Sequence, residues 1–248
     1  MLRARPIHHT SRPEPWTDLL EALGLVVTHG DNDRVEFDAG SGRLALHRTA
    51  HASGAGSPQD GVTVFGVEVG VLDEFARRTR EDGTIAEVTE GAQGETVQVT
   101  ARDGFTFLAD PAQRAADGTW ATSTEADPAL AVVATWVSPD VAGSAQELRN
   151  IGARPRSSAD GEASFSTKNG GILRVVHGAE PESGELAFEY DGGLEPLLDR
   201  LHQAGIDARI EEDVLYVANP DAVGGSAPAS IVVERARAAT NELRPGIR

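Results

Sequence analysis

Apolar residues recur three and four positions apart at four places along the chain. Trp16, Leu19, Leu20 and Leu23 set the pattern, and Leu194, Leu197, Leu198 and Leu201 repeat it. At this spacing the side chains share one face of an α-helix, so each stretch predicts an amphipathic helix with its stripe turned to a core. Two weaker copies lie between them: Leu72, Phe75, Ala76 and Thr79, then Val141, Ala145, Leu148 and Ile151. Each stripe runs into a glycine, Gly24, Gly83, Gly152 or Gly205. A residue without Cβ can take the left-handed conformation that ends a helix. The four stops recur at intervals of roughly 60 residues, the mark of an internal repeat.

Short runs of strand-forming residues flank each predicted helix in the same order. Residues 62–69 precede the second helix, and 84–89, 95–101 and 105–108 follow it, with glycine-containing turns between them. The fourth unit repeats this with 185–190 before its helix and 207–211, 214–218 and 230–234 after it. The third has 130–137, then 162–167 and 172–177. The first opens on a short, irregular strand over 6–11 and closes with 34–37 and 43–47. The prediction is an α+β fold of four β-α-β-β-β modules. Residues 49–60 and 112–128 are poor in aliphatics and rich in small and polar residues, which places linkers there. The modules then span about 1–56 and 58–112 in a first domain (1–115), and about 128–180 and 184–235 in a second (128–235). A linker (116–127) lies between the domains and a charged tail (236–248) follows the second.

Composition narrows the function. At 248 residues the chain is long enough to bury a sizeable core. It has no cysteine, which removes disulfides, thiolate metal sites and cysteine nucleophiles, and which suits a reducing, cytoplasmic setting. No apolar run has the length of a membrane span or a signal sequence. A formal charge of −17 with a pI near 4.7 repels phosphate backbones and anionic lipid, so neither nucleic acid nor membrane is an expected partner. The motifs of phosphate loops, dinucleotide folds, serine hydrolases and zinc proteases are absent.

The segments Ala22-Leu23-Gly24-Leu25, Val35-Glu36-Phe37-Asp38-Ala39-Gly40 and Gly42-Arg43-Leu44-Ala45-Leu46-His47 resemble the module of the glyoxalase/bleomycin-resistance/extradiol-dioxygenase (vicinal-oxygen-chelate) superfamily. The segments Leu198 to Ile206 and Leu215 to Asp221 are similar to the helix and the strand-plus-turn of the same module, with Asn219 and Ala222 departing from its usual Asp and Gly. The resemblance covers about residues 6–235 in order. It implies two glyoxalase-like domains, each a pair of modules whose mixed sheets curl around a cleft. In metal-dependent members, His or Gln on the first strand and Glu on the last strand of a module hold a metal that chelates neighbouring substrate oxygens.

On that pattern His8 or His9 occupies the opening-strand position, and only one of the two can face the cleft because a strand alternates its faces. The closing strands read Ala45-Leu46-His47, Val175-Val176-His177 and Ile231-Val232-Val233-Glu234, with aliphatic residues where oxygen donors belong. No resident metal is therefore expected; His8, His9 and His47 are the candidate ligands if a divalent metal is held by an atypical set. Glu68 and His47 are candidate acid/base groups in the first cleft. Trp136, His177, Glu189 and Tyr190 are candidate ligand contacts in the second, with at most one of Glu189 and Tyr190 facing inward. The expected function is metal-free binding of a small aromatic or cationic metabolite or antibiotic by a monomer or homodimer. The alternatives are a metal-assisted lyase, isomerase or dioxygenase, and a non-catalytic interaction protein with filled clefts.

Overall fold

The computed structural model describes residues 1–49, 60–91, 94–114, 119–120, 122–222 and 227–237. Most of the predicted linker at 49–60, part of that at 116–127 and the tail from 238 lie outside these residues. The first module opens on β1 (Leu2–Ala4) and β2 (Ile7–Thr10), broken at Arg5 and Pro6, and continues through α1 (Pro13–Leu23), β3 (Val26–Gly30), β4 (Arg34–Asp38) and β5 (Arg43–Arg48). The second runs β6 (Val62–Val64), β7 (Gly66–Val69), α2 (Leu72–Glu81), β8 (Ile85–Gly91), β9 (Gly94–Thr100) and β10 (Thr106–Pro111). The third comprises β11 (Leu130–Ser138), α3 (Val141–Asn150), β12 (Arg154–Ala159), β13 (Glu162–Ser166) and β14 (Ile172–His177). After a short β15 (Glu182–Ser183), the fourth runs β16 (Ala187–Tyr190), α4 (Leu194–Gln203), β17 (Ala208–Glu211), β18 (Val214–Ala218) and β19 (Ser230–Arg235).

All four helices stop in the same way. Gly24, Gly83, Gly152 and Gly205 have φ of 102°, 96°, 94° and 75°. The next residue's N–H reaches back to a carbonyl in the last turn: Leu25 to Leu20, Thr84 to Thr79, Ala153 to Leu148 and Ile206 to Leu201. This left-handed closure satisfies carbonyls the helix leaves open.

In the first half of the chain the opening strands of the two modules run antiparallel in one unbroken register, Leu2 opposite Val69, Ala4 opposite Val67, Ile7 opposite Val64 and His9 opposite Val62. β2 then pairs in parallel with β5, and β7 with β10. The order is β3-β4-β5-β2-β6 on one side and β1-β7-β10-β9-β8 on the other, joined where the Arg5 N–H donates to the Gly66 carbonyl at 3.0 Å. The second half forms a nine-stranded sheet by the same rule, with β11 and β16 antiparallel at its centre. The edges of this architecture include two strands that the sequence pattern does not predict. β3 is largely exposed. β12 is polar, carries Pro155 and has a register shift between Pro155 and Ser157, which only an edge strand tolerates.

The core is divided across the halves. Trp16, Leu20, Leu23 and Phe37 of the first module pack with Phe188, Leu197, Leu201 and Val233 of the fourth. Phe65, Val97 and Phe107 of the second pack with Trp136, Leu148 and Phe165 of the third. The halves also dock backbone to backbone: Ser41 exchanges hydrogen bonds with Leu130 and Val132, both 2.9 Å. A Cβ on neighbouring Gly40 would sit 2.2 Å from the Asp127 carbonyl, so this approach needs glycine. With the helices and cores on the outer sides, the inner face of each sheet remains as a cleft. No helix among the described residues is long and apolar enough to cross a membrane.

Candidate functional site

Strand alternation decides which side chains reach the inner face of the first sheet. Phe37, Leu44, Leu46, Val67, Val69, Phe107 and Ala109 point to the cores, so their neighbours point inward. Those neighbours include Glu36, Asp38, Arg43, His47, Glu68 and Asp110 beside the uncharged Ala45, Thr106 and Leu108; Arg3 and Arg5, on either side of the core residue Ala4, complete the charged set. They are matched in pairs. The Glu68 carboxylate accepts from Arg3 Nε at 2.8 Å and Nη2 at 2.5 Å and from Arg43 Nη1 at 3.2 Å, with Arg5 Nε at 3.7 Å. Arg5 donates to Asp110 at 2.9 Å and to both oxygens of Glu36. Arg43 Nε donates to Asp38 at 2.6 Å. Guanidinium and carboxylate alternate, so the desolvation of each charge is offset by hydrogen-bonded neighbours of opposite sign. Burial disfavours the charge of Arg5 and of Arg43, yet the carboxylates around them hold both above the ordinary arginine pKa.

Above this floor lies a cavity of about 520 Å³, walled by Ile7, Arg34 and His47 on one side and by Thr96, Leu108 and Asp110 on the other. His47 Nε2 is buried with no hydrogen-bond partner among the described residues. His9 sets its ring edge-on to that of His47, centroids 5.5 Å apart. Burial, then the neighbouring imidazoles of His47 and His8, push His9 down to about 4. Burial lowers His47 too, with Arg5 and Arg34 acting against Glu36 and Asp110. Both rings are neutral at physiological pH.

His8 points the other way. Its Nε2 lies 3.0 Å from Asp221 and its Nδ1 2.9 Å from the Thr63 hydroxyl. Asp221 also accepts from Trp16 Nε1 at 2.8 Å and Thr10 Oγ1 at 2.7 Å. These bonds, with that of His8, outweigh burial and hold the Asp221 carboxyl below its usual range. His8 is thus a buried polar tie between the first and fourth modules, and as a candidate cleft ligand it is corrected.

In the second sheet three more expectations are corrected. Trp136 does not wall a cleft: it is fully buried on the core side, stacked on Phe105 at 4.8 Å, because it shares its strand face with Leu130, Val132 and Ala134. Tyr190 shares the core side with Phe188 and donates to Asp127 at 3.1 Å. His177 ends its strand exposed to solvent. Glu189 does face inward, but it is bound by Arg156 at 3.2 and 3.0 Å and by Arg174 at 3.3 Å. Arg174 also grips both oxygens of Glu234 at 2.9 Å. Arg174 thus bridges Glu189 and Glu234 on the inner face, and a cavity of about 670 Å³ lies beside it.

The donor set does not fit a chelated metal. His9 and His47 are the imidazoles on the first inner face, the nearby carboxylates are bound by arginines, and among the described residues no three His, Asp or Glu side chains converge as a metal site would require. The arginines of both inner faces are not among the site residues expected from the sequence. Their signal was available: Arg3-Ala4-Arg5 and Glu36-Phe37-Asp38 alternate charge with apolar side chains, the period of a strand whose two faces are both buried.

Sheet order, helix placement and the paired inner faces define the vicinal-oxygen-chelate fold, with salt-bridged clefts. Among solved structures, the chain is similar to homoprotocatechuate 2,3-dioxygenase from Arthrobacter globiformis, with a TM-score of 0.60 and 17% identity over 94% of this chain and 78% of that one. The enzyme from Brevibacterium fuscum in complex with 3,4-dihydroxyphenylacetate gives a TM-score of 0.58 and 16% identity over 93% and 78%. The halotolerant catechol dioxygenase BphC gives 0.55 and 12% over 97% and 88%. No protein-family model matches the chain, and no curated protein matches it either.

Proposed function

We propose that the first cleft binds a small polar metabolite or antibiotic without a metal. The observation that carries this reading is the floor of Arg3, Arg5 and Arg43 paired with Glu36, Glu68 and Asp38, which spends on ion pairs the carboxylates a metal would need. The cavity of about 520 Å³ lies within the range of roughly 300–1,000 Å³ usual for small-molecule sites. Apart from His47 its lining has no aromatic ring among the described residues, so an aromatic wall is not part of the proposal. Glu68 and His47 are not assigned as catalytic groups: both Glu68 oxygens already accept from guanidinium donors. In the second sheet a cavity of about 670 Å³ borders Arg174 and Glu234, and no ligand is assigned to it.

The dioxygenase alternative draws on the similar structures and on the adjacent His9 and His47 rings. Metal analysis of protein purified without chelator separates the two. The metal-free reading expects less than about 0.1 equivalent of transition metal after gel filtration, as fits a site lacking three donors. About one equivalent of iron, manganese, zinc or nickel, lost in His47→Ala, would establish the alternative.

A further inference from the structure

The charges lining the first cleft differ in how far they can be reached. The floor is sealed: the side chains of Arg5, Arg43, Glu36 and Glu68 are each at most 5% exposed, and their signs cancel. Above it, Arg34 keeps 21% of its side chain exposed and Asp110 keeps 30%, Glu95 is exposed, and His47 lines the cavity with its unpaired Nε2 buried. These groups are sorted by wall. Arg34 and His47 stand on β4 and β5. Glu95 and Asp110 stand on β9 and β10, on the opposite side of the central strands β2 and β7. One wall offers a guanidinium and an imidazole, the other carboxylates, of which Asp110 also accepts from Arg5 and Thr96; Ile7 adds an apolar surface to the first wall, and Leu108 and Pro111 to the second.

We propose that the ligand of this cleft is a zwitterion, an amino acid or short peptide, with its carboxylate on the Arg34–His47 wall and its ammonium on the Asp110–Glu95 wall. The inference rests on the metal-free reading of the same cleft. A ligand with one sign of charge meets attraction on one wall and repulsion on the other; a zwitterion is complementary to both. Its carboxylate gives the His47 ring, whose Nε2 is buried without a partner among the described residues, an acceptor once the ring turns toward it, and the ion pairs formed above a neutral, dehydrated floor are weakly screened. The three apolar residues leave room for a side chain of modest size.

The test is calorimetric titration of the full chain with the L-amino acids and glycyl dipeptides, followed by the amine and the N-acetyl derivative of the tightest binder. Saturable binding of a zwitterion is expected, with each singly charged analogue at least about tenfold weaker, the loss of one charge-assisted contact. His47→Ala should weaken the zwitterion and leave the amine unchanged; comparison of the analogues on the unaltered chain gives the same decision if that variant folds poorly. An amine or acid that binds as tightly as the zwitterion, or no zwitterion binding below about 10 mM, a level that corresponds to almost no contact energy, overturns the inference while leaving metal-free binding in place. Retention of a stoichiometric metal overturns the underlying reading instead.

Discussion

Replacing Glu68 by glutamine removes one negative charge from the buried floor of the first cleft and changes almost no volume. Glu68 accepts three hydrogen bonds, from Arg3 Nε and Nη2 and from Arg43 Nη1, and faces Arg5 Nε at 3.7 Å. In the variant, Arg3, only 2% of whose side chain is exposed, loses the carboxylate that accepts from its Nε and Nη2, Arg43 loses one of its two, and an amide NH₂ must point at one of these guanidiniums. Removing one partner of a buried ion pair costs about 3–5 kcal/mol. For a chain of this length each kcal/mol lowers the melting temperature by about 2–4 °C, so Glu68→Gln should lower it by about 6–20 °C. Thermal and urea unfolding followed by circular dichroism read this directly. Removing Arg3 as well, as Arg3→Met with Glu68→Leu, restores charge balance and should recover at least half of the loss. A Glu68→Gln protein that melts within about 2 °C of wild type, well inside the cost of an unbalanced buried charge, would refute the view that this carboxylate is a structural counter-ion.

Two further outcomes follow from the same geometry. His9, held near 4 in the folded chain against about 6.5 unfolded, binds its proton more readily when unfolded. Its contribution to stability is therefore complete above pH 6.5 and is lost as pH falls from about 6.5 to 4. After allowance for solvent screening at this half-buried site, the loss is about 1–2 kcal/mol, and urea midpoints at pH 7.5 and 4.5 should converge in His9→Phe; an unchanged pH dependence would sink the assignment. Trp136→Ala removes a fully buried indole stacked on Phe105 and should cost about 3–5 kcal/mol, while a ligand that saturates the first cleft leaves Trp136 emission unmoved. Quenching of that emission by ligand would place the indole at the binding site after all.

The local pattern of the chain determined the elements with strong periodicity. Four apolar stripes and the glycines behind them predicted α1 to α4 because a helix must bury one face and must end where its last carbonyls find donors, and both conditions are written within a dozen residues. Most of the strands were legible for the same reason. β3 and β12 were not, since an edge strand with one bare side and solvent on its face has no alternation to display. The fold family was also readable, because module order is a property of sequence. The faces of the opening strands were not. His8 against His9, and Trp136 against Thr135, are choices between two sides of a ribbon, and only the packing of the first module on the fourth and of the second on the third fixes which side is core. The same packing turned Arg3, Arg5, Arg43 and Arg174 inward. Each is an ordinary charged residue in the sequence, and each becomes a counter-ion only when a strand distant in the chain brings Glu36, Glu68, Glu189 or Glu234 within hydrogen-bonding distance.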